Sequence, residues 1–285
     1  MGYTTNPRVV LTADHKTIFV GTEAVKNRAF LTLQRPIQFG RVVDMESLEI
    51  FVSHLFYYEL KAWPTQLIVL VHSSFNKKKE LADILFNKLG VKQLQYQLPG
   101  IVPLLKHGSQ TAISLDATDS GLETFALYNG QVFEQSVTWN DVGARRLSEL
   151  LGPKVQFVPT SESDMMLLQE HFSGQRNELK MTDQMRNELV VQNVQFEGLL
   201  RTIAELPIIS RGIAAKHLVL SGQLAKLDVF KQRLTKFIQE AKTQYSFQFQ
   251  ELGDCGYEHL SALDQDYLWV TKEKCAEAFR PEPVM

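Results

Sequence analysis

A chain of 285 residues that is 44% hydrophobic and 22% charged can bury one large core or two ordinary ones, and it falls outside the disordered class. Its 30 Lys and Arg against 32 Asp and Glu leave a formal charge of −2, which gives no electrostatic footprint for nucleic acid. Its two cysteines, Cys255 and Cys275, fit a reducing compartment and are too few for a disulfide framework or a cysteine-based zinc site. The opening residues lack the apolar core of a signal peptide, and Asn6 stands where a myristoylation signal has Ser or Thr. The aliphatic run 67–71 is far short of the ~20 residues a membrane span needs, so a soluble, intracellular protein is expected.

Taken in chain order, residues 17–21 (TIFVG) predict a short strand from their β-branched and aromatic content. Asp44 is placed to cap a helix whose apolar positions Leu48, Phe51, Val52, Leu55, Phe56 and Leu60 recur at three- and four-residue spacing. Pro64 closes it, and residues 67–71 predict a buried strand. Asn76 caps the next helix, which buries Leu81, Ile84, Leu85 and Leu89 and stops at Gly90, while Lys77–Lys79 form a solvated turn. This β–α alternation with short connections indicates a layered α/β fold.

A second unit opens with a strand at 111–115 that runs into the acidic turn Asp116-Ala-Thr-Asp-Ser-Gly121. A strand at 122–128 and an Asn129-Gly130 hairpin signal follow. Asp141 and Gly152 are placed to bound a helix. Residues 159–207 are helical, with Thr182 as a cap. A strand at 216–220 precedes the turn Ser221-Gly222 and an amphipathic helix with the stripe Leu227, Phe230, Leu234, Phe237 and Ile238. Tyr245, Phe247 and Phe249 alternate with polar residues as a half-buried strand.

Several of these segments resemble actin and its relatives. Val20-Gly-Thr-Glu-Ala24 is similar to the family's VGDEA, and the gap-free run from Leu31 through Phe51 to Phe56-Tyr-Tyr-Glu-Leu60 is similar to LTLxxPIxxGxVxxWDxMEKIW and FYNEL. Residues 115–130 resemble LDSGDGVTHxVPIYEG, residues 218–222 resemble VxxGG, and residues 267–273 resemble the family's C-terminal WITKxEYDE. The match is strongest before residue 61 and thin between 152 and 215.

The resemblance implies an α/β, actin-like (ribonuclease H-like) fold of two domains: 1–108 plus 256–285, and 109–255. In that family ATP and its divalent ion are clamped by acidic, glycine-rich hairpins, because glycine lets backbone N–H groups approach phosphate and the carboxylates hold the ion through water. Against this pattern the sequence starts past the family's first phosphate hairpin, so that hairpin is expected to be missing. Thr118 and Ser120 stand at the second loop's glycines, Gly121 falls one position late, Pro99 replaces the water-positioning Gln, Glu123 replaces a His, and Gln223 replaces the second glycine of the adenosine loop. Asp116, Asp119, Gly121, Ser221 and Gly222 are then vestigial nucleotide-site positions. No cofactor, catalytic residue or metal is expected, and ATP or ADP with Mg is the alternative. The segment around Asp14-His15-Lys16 is shorter than the family's filament-inserting loop, which speaks against self-polymerisation.

The resemblance therefore implies a non-catalytic structural subunit of a multiprotein assembly. Its role would be at a filament end or in a scaffold, as in dynactin-like or chromatin-remodelling complexes. Its partners would be other actin or actin-related subunits and scaffold proteins, with no nucleic acid or membrane bound directly. Its place would be cytoplasmic and cytoskeletal, with the nucleus as the second compartment. The alternative is an ATP-binding actin-like switch protein with an altered site. Asp116 and Asp119 are read as acids that shape a turn rather than metal ligands, and the seven histidines as ordinary surface or core residues. Trp63 and Met165–Leu168 are assigned to core packing, and the Pro-rich residues 279–285 to an extended tail.

Overall fold

The computed structural model of the protein describes residues 2–4, 18–39, 41–66, 68–72, 77–156, 159–175, 183–251 and 271–272. The expected caps Asn76 and Thr182, the segment 14–17 up to Thr17, both cysteines, most of the 267–273 match and the tail 279–285 lie outside these residues. The chain divides into two compact units. The first comprises Met1–Leu98, Ser161–Ser163 and Asp264–Met285, and the second Pro99–Thr160 and Asp164–Leu263.

In unit 1, β1 (Gly2–Thr4) pairs antiparallel with both β2 (Ile18–Phe19) and β3 (Leu31–Leu33). The extended stretch expected at 17–21 is cut short because Gly21, at φ +59°, turns the chain into helix α1 (Gly21–Lys26). The two-residue strands β4 (Ile37–Gln38) and β5 (Arg41–Val42) precede α2 (Met45–His54). As the sequence indicates, Asp44 caps α2, accepting the Ser47 N–H at 3.1 Å. The Ser47 hydroxyl and N–H hold the Asp44 carboxyl below its usual range.

Helix α2 runs on into a wide turn, Leu55–Glu59, closed by the Leu60 N–H on the Leu55 carbonyl. Strand β6 (Ile68–His72) pairs in parallel with β7 (Gln93–Gln97) across helix α3 (Lys78–Asp83) and its continuation Ile84–Lys88. The core of this unit joins Leu48, Phe56, Leu81, Leu85, Phe86 and Leu94. Trp63 does not join it. Pro64 takes the buried position, and Trp63 is 69% exposed with its ring edge-on to Tyr57.

Unit 2 includes α4 (Ile101–His107), which lies against β8 (Ala112–Ala117). Strands β8, β9 (Leu122–Tyr128) and β10 (Gln131–Asn140) form an antiparallel meander. Its hairpin is set by Asn129 and Gly130, at φ +51° and +78°. Helices α5 (Ala144–Lys154), α6 (Glu162–Phe172), α7 (Asp183–Asn193), α8 (Glu197–Glu205) and α9 (Ile208–Lys216) then lead to β11 (Leu218–Ser221). Strand β11 lies parallel to β8; after α10 (Asp228–Glu240), β12 (Phe249–Glu251) lies parallel to β11.

The resulting sheet has the order β10-β9-β8-β11-β12. It is a mixed α/β sheet whose helices cover a core of Phe125, Leu147, Leu151, Leu168, Phe196, Phe230 and others, with Met165 and Leu168 buried as expected. The alternation at 245–250 holds for burial, but regular pairing starts only at Phe249. Before it the backbone reaches α9 and β11 through single bonds, the Gln248 N–H to the Ala215 carbonyl and the Leu218 N–H to the Gln248 carbonyl. Helix α5 does not stop at Gly152, which is buried inside it, but runs on to Lys154.

Candidate functional site

The sequence-derived site residues converge where β8 and β11 end. Parallel strands leave a set of chain ends on one edge of a sheet, and ligand sites of open α/β folds form there. Asp116 is a residue of β8 rather than of the turn beyond it, which corrects the expectation of a turn acid. Its register places it beside Ser221 on one side and Glu123 of β9 on the other. The Ser221 hydroxyl donates to Asp116 Oδ1 at 2.8 Å, and all three side chains are buried.

Burial raises the Asp116 carboxyl above its usual range, while the Ser221 hydrogen bond pulls the other way. Glu123 is pushed up to about 8, first by burial and then by the neighbouring Asp116 charge. At neutral pH Glu123 is therefore mostly a neutral acid, which removes like-charge repulsion from the pair.

Residues 118–121 form a turn closed on itself. The Thr118 N–H donates to the Gly121 carbonyl at 2.9 Å and the Thr118 hydroxyl donates to the same oxygen at 3.0 Å. The Gly121 N–H in turn donates to the Thr118 Oγ1 at 3.3 Å. Threonine at a position where the family has glycine thus fills the turn with its own side chain.

The turn also caps α5. The Ala144 and Arg145 N–H groups donate to the Thr118 and Asp119 carbonyls, each at 3.1 Å. These are among the first donors of the helix, so the N-terminus that could cradle an anion is filled by protein. This explains why α5 starts after Gly143 with no side-chain cap, rather than at Asp141. Gly143 makes the seat possible: a Cβ there would stand 2.2 Å from the Asp119 carbonyl oxygen.

Asp119 is held from a third direction by Gln169 of α6, whose amide donates to Oδ1 at 2.6 Å. Gly222 adopts φ +89°, and a Cβ on it would lie 2.3 Å from the Ala117 carbonyl oxygen. Its missing side chain serves the close approach of two strand ends. Gln223 faces outward, Pro99 is exposed ahead of α4, and Ser120 is half-buried. Among the described residues no three His, Cys, Asp or Glu side chains gather as a metal site.

The structure therefore brings Asp116, Glu123 and Ser221 together, and joins Asp119 and Gly121 to Thr118, Gly143 and Gln169. Sequence reasoning missed Gln169 and Gly143, because their spacing from the turn belongs to no local motif. It also missed the apolar face of α9, where Ile208, Ile209 and Ile213 are 75%, 84% and 53% exposed.

Acidic and glycine-bearing turns at the carboxyl edge of a mixed sheet define this as an α/β protein. A family model described as Actin matches residues 4–196, more than half of the chain. The chain belongs to the actin family, and its mixed five-stranded sheet and helices fit an actin-like fold.

Proposed function

We propose that this actin-family chain is a non-catalytic structural subunit of a larger assembly, binding other actin or actin-related subunits at a filament end or in a scaffold. The observation that carries the reading is the occupied turn at 118–121. Thr118 takes its N–H and carbonyl partners, Gln169 takes the Asp119 carboxylate, and the first N–H groups of α5 are spent on the turn's carbonyls. A nucleoside triphosphate needs such donors open and the acid facing an ion, so these contacts speak against ATP with Mg. Each lost charge-assisted hydrogen bond is worth about 1.5–3 kcal/mol, and a few together match the roughly 8 kcal/mol of a micromolar ligand.

Two exposed apolar surfaces support an assembly role. Ile208, Ile209 and Ile213 are exposed on α9, and Tyr57, Tyr58, Leu60 and Trp63 are exposed after α2, with the Tyr57 and Trp63 rings edge-on. Patches of this kind mark interaction surfaces. Such a subunit acts in the cytoplasm with the cytoskeleton, in the manner of dynactin-like complexes, and the chromatin-remodelling module is the other setting for the same architecture. No helix among the described residues is long and apolar enough to cross a membrane.

The test is thermal unfolding with and without Mg-ATP, together with chromatography of the denatured, purified protein. The expected result is an unchanged Tm and no released nucleotide. A ligand present at 100 times its Kd would add about 2.7 kcal/mol. A shift of that size, or stoichiometric ADP or ATP in the purified chain, would replace this reading with that of an ATP-binding switch.

A further inference from the structure

Two histidines far apart in the sequence meet inside unit 2. His107 Nε2 lies 3.1 Å from His217 Nδ1, with ring centroids 5.2 Å apart and the rings tilted by 57°. His107 ends α4, where the Gly108 N–H closes the helix on the Leu104 and Leu105 carbonyls. His217 links α9 to β11, its N–H bonded to the Ala214 carbonyl and its own carbonyl to the Ile113 N–H. Both backbones are thus fixed by neighbouring structure, and both residues are half-buried.

We propose that His107 and His217 form a two-histidine chelate for a borderline divalent transition-metal ion of the Zn2+ class. Zinc–imidazole bonds of about 2.0–2.1 Å meeting at a tetrahedral angle place the two nitrogens about 3.3 Å apart and the ring centroids about 5.2 Å apart. The pair already stands within a few tenths of an ångström of that spacing. Imidazole suits Zn2+, Cu2+ and Ni2+ and discriminates against Mg2+ and Ca2+, which prefer oxygen. With no third His, Cys, Asp or Glu at the same point among the described residues, water completes the coordination. A bound ion exchanges the single histidine–histidine hydrogen bond for two metal bonds and braces the end of α4 against the α9–β11 junction. That junction leads directly into Ser221.

The test is calorimetric titration of the full chain carrying C255S and C275S, so that thiols do not compete, with ZnCl2, NiCl2 and MgCl2 in turn. The expected result is one Zn2+ or Ni2+ per chain, no Mg2+, and a raised Tm. Each imidazole supplies one of only two protein–metal bonds, so H107Q and H217Q should each weaken binding at least ~10-fold, the lower end of what loss of even an outer-shell partner costs. Circular dichroism of both variants without metal checks that they fold, and X-ray absorption at the zinc edge reads two imidazoles directly in the parent chain. The proposal is overturned by the absence of saturable binding up to about 1 mM, where affinity is only about 4 kcal/mol. It is equally overturned by binding that survives in H107Q/H217Q, or by a spectrum without imidazole scattering.

Discussion

Ser221, the last residue of β11, donates its hydroxyl to Asp116 Oδ1 at 2.8 Å, joining the ends of two parallel strands that are 105 positions apart in the sequence. The bond favours the charged form of a carboxyl whose charge burial disfavours. Removing it with Ser221→Ala should cost about 1–3 kcal/mol near pH 7, the range for a buried acceptor losing its donor. The loss should shrink at pH 4, where Asp116 is closer to protonation in both states. Urea unfolding at the two pH values measures both quantities.

Glu123 gives the fold a pH dependence of definite sign. Between about 4.5, its ordinary value, and about 8 in the folded protein, the native state keeps a proton that the unfolded chain has released. The contribution of Glu123 to stability is therefore full at low pH, falls as pH rises through that window, and levels off above it. Glu123→Gln keeps the shape without the charge. It should flatten this slope and make the variant more stable than the parent by up to about 5 kcal/mol at pH 9. Equal slopes in the two proteins would show that Glu123 ionises as an exposed acid does.

Gly143→Ala should be among the most damaging small substitutions in the chain. Its Cβ would meet the Asp119 carbonyl at 2.2 Å and the Gly121 nitrogen at 2.4 Å, both of them backbone atoms that cannot swing aside. Separating the 118–121 turn from α5 would also expose the helix donors it caps. A loss of about 3 kcal/mol or more is expected by thermal unfolding, against the ~1 kcal/mol of an average substitution.

Asp119 and Gln169 should behave as a coupled pair. Each alanine variant should cost about 1 kcal/mol, and the double variant less than the sum of the two by roughly 0.5–1.5 kcal/mol, because a single 2.6 Å hydrogen bond is shared. Strict additivity in a double-mutant cycle would break the link.

The exposed face of α9 should matter for assembly and little for folding. Replacing Ile208, Ile209 and Ile213 with Ser should leave Tm within a few degrees, since surface changes usually stay within about 0.5 kcal/mol each. It should improve the solubility of the isolated chain and, if the proposed structural role holds, abolish co-purification with other subunits. A large drop in Tm would place these side chains in the core instead.

The sequence by itself determined the family and the α/β class. It also set the capped helix after Asp44, the Asn129-Gly130 hairpin and the amphipathic face of α10. Each of these rests on residues within a few positions of one another, where capping, φ preference and periodicity act locally. It also marked Thr118 and Ser120 as departures from a phosphate loop.

Only the tertiary structure decided what those departures do, since Thr118 is satisfied by Gly121, Asp119 by Gln169 fifty positions on, and the α5 donors by the turn itself. It likewise turned Asp116 from a turn acid into a buried partner of Ser221, sent Trp63 outward behind a buried Pro64, and brought His107 to His217. The physical reason is common to all of them. Burial, pKa and hydrogen-bond satisfaction depend on which distant groups the sheet order brings within about 3 Å, and no local spacing encodes that distance.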